Sequence, residues 1–163
     1  MRAVLFTFAA SFALFTCAQA TPMTPDTQFD FWLGHWDLTW ADGGKGTNTI
    51  TKELDGHVVH EHFNDPTNKY SGESWSVWDA AAGKWKQTWV DTQADYMTFE
   101  GGLVDDRMEL SMHKPDKKTG QVFLYRMAFF NISPAAFDWE WKRSPDEGKT
   151  WELQWTIHYV RKG

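Results

Sequence analysis

The chain is 163 residues long, holds 11 tryptophans, 12 phenylalanines and one cysteine, and carries a formal charge of −6. Net negative charge disfavours nucleic acid as a partner, and a lone thiol rules out a disulfide framework or a thiolate metal cluster. Beyond the N-terminus, no stretch approaches the roughly 18 apolar residues of a membrane-spanning helix.

Residues 1–20 read as a signal peptide. Arg2 provides the positive start, "AVLFTFAASFALF" a short apolar run, and Ala18-Gln19-Ala20 a small-residue cleavage site. The expectation is export, to the periplasm or outside the cell, with Thr21–Gly163 as one mature domain. Cys17 leaves with the cleaved segment, because Phe15 and Thr16 before it make a poor lipidation signal.

"TPMTPDTQFDFWLG" follows, with Thr24 before Pro25 as a start signal for a single helical turn. From Gly34 the pattern alternates, and strands are expected at 34–41, 46–54, 57–63, 71–79, 84–91, 95–101, 107–113, 121–131, 136–143 and 150–161. Breaks such as "ADGGKG", "DAAAGK" and "KPDKKTG" carry turn chemistry. No linker or domain-scale repeat interrupts them. The expected fold is all-β, a single antiparallel up-and-down barrel, since closure removes exposed strand edges. A two-sheet sandwich is the alternative.

"SPDEGKTW", Ser144 to Trp151, matches S-x-D-x-G-x-T-W and resembles the Asp-box of sialidases and other β-propellers. A propeller repeats its blade four to eight times, and this chain has one copy in about one blade's length. The motif therefore reads as a hairpin. Asp146 accepts backbone N–H bonds, Gly148 supplies a positive φ, Thr150 bonds back across the turn and Trp151 packs beneath.

Gly34-His35-Trp36 at the first strand resembles the G-x-W element of lipocalins and their barrel relatives, including fatty-acid-binding and nitrobindin-like proteins. That resemblance implies that Trp36 packs under Arg161 from the last strand, across the closed end of the barrel. Over nearly the whole mature chain, "FDFWLGHWDLTW", "SGESWSVWDAAAGKWKQTWVD" and "SPDEGKTWELQW" resemble a family of small exported bacterial proteins, described as a domain of unknown function with a lipocalin-like barrel. The likeness implies a fold and no chemistry. The haem-binding nitrobindin branch implies an axial histidine about seven residues before the terminal basic residue, where Gln154 stands; His158 is out of register. Asp37, Leu38 and Thr39 also replace that branch's glycine-rich first strand. No haem is expected, nor any other cofactor.

Alternation sorts each strand into two faces. His57, Val59, Glu61 and Phe63 share one, as do Trp85, Gln87, Trp89 and Asp91; Phe137, Trp139 and Trp141; and Trp151, Leu153, Trp155, Ile157 and Tyr159. These aromatic faces are expected to point into the barrel, which strands Glu61, Gln87 and Asp91 among rings. A carboxylate there needs a partner, and burial raises its pKa. Two roles stay open: bonding to Trp N–H, Tyr O–H or Arg126 near the mouth, or orienting a bound ligand. The expectation is a small-molecule binder without chemistry, with walls of Trp89, Trp141, Trp155 and Tyr159 and with Glu61, Gln87 and Asp91 as orienting groups. The alternatives are an enzyme using Glu61 or Asp91 as general acid or base, an interaction module with a filled interior, and carbohydrate binding through a surface Trp78 or Trp40. His60-x-His62 has metal-ligand spacing, but Asp65, Pro66 and Thr67 follow where a cupin-type glutamate is needed, so both histidines are expected in water and no metal is expected. The sequence sets neither the ligand nor an oligomeric state.

Overall fold

The structure, a computed structural model, describes residues 24–163. The expected signal peptide, its cleavage site and Cys17 lie outside them. Ten strands follow one another: β1 (Gly34–Thr39), β2 (Lys45–Glu53), β3 (Val58–Asp65), β4 (Tyr70–Asp79), β5 (Lys84–Asp91), β6 (Tyr96–Val104), β7 (Arg107–Pro115), β8 (Val122–Phe130), β9 (Ala136–Ser144) and β10 (Glu152–Arg161). Each is antiparallel to its neighbours in sequence, and β1 also pairs with β10, so the sheet closes on itself. This is the expected up-and-down barrel and not a sandwich. Among the described residues no helix is long and apolar enough to cross a membrane.

Two 3-10 turns, Pro25–Thr27 and Asp30–Trp32, plug one end. Thr24 caps the first through its carbonyl, which accepts the Thr27 amide at 3.0 Å, and not through its hydroxyl. Phe29 and Trp32 drop into the barrel fully buried. Phe29 meets Trp85 edge-on at 4.8 Å and Phe129 at 5.7 Å, the tilted geometry that ring quadrupoles favour. Trp85 Nε1 donates to Pro25 O and to Gln28 Oε1, both at 3.2 Å, which ties the plug to the wall.

Arg161 closes the same end. Its guanidinium carbon lies 4.1 Å from the Trp36 ring centroid, and it donates to the carbonyls of Leu33 at 2.7 Å and Pro134 at 2.6 Å. A cation on an indole face, with its N–H groups spent on carbonyls, is a favourable seal. Gly34 is glycine for two reasons: its φ is +121°, and a Cβ there would collide with Arg161 Nη1.

The expected inward aromatic faces are found on β5 and β9 and fail in part on β10 and β3, while β4, whose faces the alternation left unassigned, turns its small residues inward. On β4 the inner residues are the small ones, Gly72, Ser74 and Ser76, while Trp75 and Val77 face out, 41% and 38% exposed. Space explains the choice, because Trp89 lies across Gly72 and a Cβ at Gly72 would collide with its ring. On β10 a bulge shifts the register between Leu153 and Trp155. Beyond it Leu153 is 57% exposed, and Trp151 sits outside under Arg126, whose guanidinium carbon is 4.3 Å from its ring. On β3 the expected inner face begins at Val59, because His57 lies in the exposed turn before the strand.

One seam is incomplete. β6 and β7 pair only where Glu100–Val104 faces Arg107–Ser111. Toward the open end, residues 96–99 and 112–115 are not paired with each other. There Asp95 holds Lys114 at 3.4 Å and Lys117 at 2.8 Å across the gap.

Candidate functional site

Above the plug the lumen holds a cavity of about 130 Å³. Trp32 closes it below, and Phe63, Trp89, Trp139, Trp141, Trp155 and Tyr159 are among the rings of its wall. Trp139 and Trp141 are nearly parallel, 6° apart, although they are successive inward residues of one strand. Six of the seven residues expected to bind a ligand line this one space: Glu61, Gln87, Trp89, Trp141, Trp155 and Tyr159. The inward faces of β3, β5, β9 and β10 bring them together, and small β4 leaves the room.

Asp91 is the exception. It lines an open basin of about 710 Å³ at the barrel mouth, beside Trp40, Tyr70 and Trp155. Its Oδ2 accepts from Trp89 Nε1 at 2.9 Å and Tyr70 O–H at 3.0 Å, while Oδ1 accepts the amides of Gln93 and Asp95. Partial burial alone would raise its pKa, but these four bonds outweigh it and hold the carboxyl below its usual range. Asp91 thus fixes the ring of Trp89 and the β5–β6 turn.

Glu61 is the polar centre of the lumen. Only 7% of it is exposed, and each oxygen has a neutral donor: Asn48 Nδ2 reaches Oε1 at 2.7 Å, and Ser74 O–H reaches Oε2 at 2.6 Å. Burial pushes its pKa up and the two hydrogen bonds pull it down. Burial wins, and the value rises from 4.5 to about 7. Asn48 also donates to Tyr159 O at 3.3 Å. Burial raises the Tyr159 phenol, so it stays neutral. Gln87 Nε2 donates to Ser76 Oγ at 2.9 Å. Of the four buried polar side-chain atoms without a partner among the described residues, two are in the lumen: Trp32 Nε1 on the cavity floor and Asn48 Oδ1 beside Glu61.

Sequence reasoning missed Asn48, Ser74, Ser76 and Trp32. Asn48 had a signal, since it shares the inner parity of β2 with Gly46 and Ile50. Arg126, suggested as a partner for the inner carboxylates, is on the outer wall and donates to Glu109 at 3.2 Å. It belongs to a chain of outer charges in which Arg107 and Lys142 cover Glu140. His62 faces water as expected, whereas His60 is half-buried, stacked on Trp75 at 4.9 Å and bonded to Glu73 at 3.1 Å. Trp78 is not a surface platform; it packs against the core beside Trp85, and Trp40 leans on Trp155 at the mouth. Among the described residues no group of three or more His, Cys, Asp or Glu side chains could hold a metal ion.

The Asp-box stretch is a hairpin cap between β9 and β10. Asp146 accepts the Thr150 amide at 2.8 Å and the Thr150 hydroxyl at 2.7 Å, and Ser144 Oγ accepts the Gly148 amide at 2.7 Å. Gly148 has a φ of +86°. The Thr150 amide and hydroxyl, helped by Ser144, hold the Asp146 carboxyl down at about 2. Trp151 passes close to Gly148 and carries Arg126 on its face.

No protein-family model matches this chain, and a search of curated proteins finds no match.

Proposed function

We propose that the protein is an exported barrel that reversibly binds a small, partly aromatic or apolar molecule in its lumen, without acting on it chemically. The observation that supports this best is the cavity itself: a ring-lined space with one carboxylate, one amide and two phenols on its lining. Such a balance of apolar wall and few polar groups is the usual make-up of a ligand site. Size narrows the class. A cavity of about 150 Å³ accommodates benzene, so this lumen suits a single ring and not a lipid tail. The Arg161–Trp36 seal and the ten-strand closure support grouping the chain with lipocalin-like barrels.

The test is intrinsic tryptophan fluorescence against a panel of one-ring aromatics, fatty acids and sugars. Saturable change with the aromatics is the expected result. Gly72→Ala, which drives Trp89 into the lumen, should abolish it while circular dichroism keeps the strand signal. A flat response across the panel contradicts the reading.

A second reading rests on Glu61. A carboxyl that titrates near neutrality can act as a general acid or base. Among the described residues it is the sole carboxylate on the cavity lining, so chemistry there would use it alone. Turnover lost in Glu61→Gln, with affinity retained, distinguishes that reading from simple binding.

A further inference from the structure

We propose, building on the binding function above, that the lumen selects a small organic cation, a protonated amine or quaternary ammonium of about one ring's size, with Glu61 as its counter-ion. Among the described residues the cavity lining contains Glu61 and no lysine, arginine or histidine. Both Glu61 oxygens are bonded, but only to the neutral donors Asn48 and Ser74. Its negative charge therefore has no opposite charge facing it from inside the barrel, and a buried carboxylate in that state is costly until a cation arrives.

The walls point the same way. Trp89, Trp139, Trp141 and Trp155 surround the space, and the negative face of an indole attracts an ammonium group most strongly when both are out of water. An anion would fare badly. The unpartnered donor on the lining, Trp32 Nε1, is one neutral N–H set against the charge of Glu61. The mouth adds steering: Asp42, Asp65, Asp91 and Asp95 line the outer basin, and the one cation among its described lining residues, Lys114, is paired with Asp95.

The probes are benzylamine, benzyl alcohol and benzoate, which share a ring and differ in charge, titrated calorimetrically into the whole protein above neutral pH. Benzylamine should bind at least about tenfold tighter than benzyl alcohol, the gain of a charge-assisted contact. The alcohol is the deciding comparator, because the mouth aspartates also repel benzoate. Glu61→Gln should weaken benzylamine by about tenfold and leave the alcohol within about twofold. Benzyl alcohol binding as tightly as benzylamine to the unsubstituted protein overturns the cation preference, with no variant needed. So does benzylamine affinity indifferent to Glu61→Gln. Absence of binding by the amine and the alcohol alike overturns the binding function itself, and the cation preference with it.

Discussion

Glu61→Gln should change how stability depends on pH, and the structure sets both sign and size. In the unfolded chain Glu61 releases its proton near pH 4.5, and in the barrel it keeps it until about 7. Between those values the native state binds more protons than the unfolded one, so raising the pH favours unfolding. The stability associated with neutral Glu61 is full below about 4.5 and is lost as pH rises through about 7. A rise from 4.5 to about 7, at about 1.36 kcal/mol per pH unit, amounts to about 3 kcal/mol. Glutamine has the same shape and no charge, and it keeps both contacts once Ser74 turns from donor to acceptor. The variant should therefore gain about 3 kcal/mol on the wild type between about pH 4.5 and about pH 8. Carboxylates elsewhere titrate in both proteins and cancel in the difference. Urea unfolding followed by tryptophan fluorescence measures it. A difference that stays constant over that range would refute the claim that burial dominates at Glu61.

Gly34→Ala forces a side chain onto left-handed backbone and into Arg161. It should cost about 2 kcal/mol or more in urea unfolding, while Gly102→Ala, whose methyl meets only Gln28 Oε1 at 3.9 Å, stays within about 0.5 kcal/mol. Asp146→Ala should release the Thr150 amide to fast hydrogen exchange and leave the barrel folded. Because the Asp146 carboxyl is lowered, the cap is complete above the ordinary value of 3.8 and is lost as pH falls through about 2; Thr150 amide protection followed down in pH checks it. Amides of residues 96–99 and 112–114 that face the unpaired seam should exchange faster than those in the paired stretch of β6 and β7. Equal protection across the two stretches would contradict the open seam.

The fold was legible because alternation and turn residues act locally. "DAAAGK" breaks the chain wherever it sits, and ten such segments with short loops leave few ways to close. The inside was legible where large rings alternate with polar residues, as on β5 and β9. β4 shows where that reasoning ends. "SGESWSVW" alternates Trp75 and Val77 against Ser74 and Ser76 without saying which set is inside; lumen volume is shared across strands, and Trp89 from β5 already fills the space above Gly72. A bulge is equally invisible in "WELQW", which fits strict alternation and is read correctly only once β9 sets the register. Asn48 was missed because a lone amide in "KGTNTITKE" gains meaning only when Glu61 arrives from the next strand.

The most direct measurement is a two-dimensional NMR titration of the indole N–H signals with benzylamine. The account predicts saturable shifts at the cavity-lining tryptophans, among them Trp89, Trp141 and Trp155, with Trp75 and Trp151 on the outer wall unmoved. Shifts confined to Trp75 and Trp151, or none at saturating ligand, would contradict it.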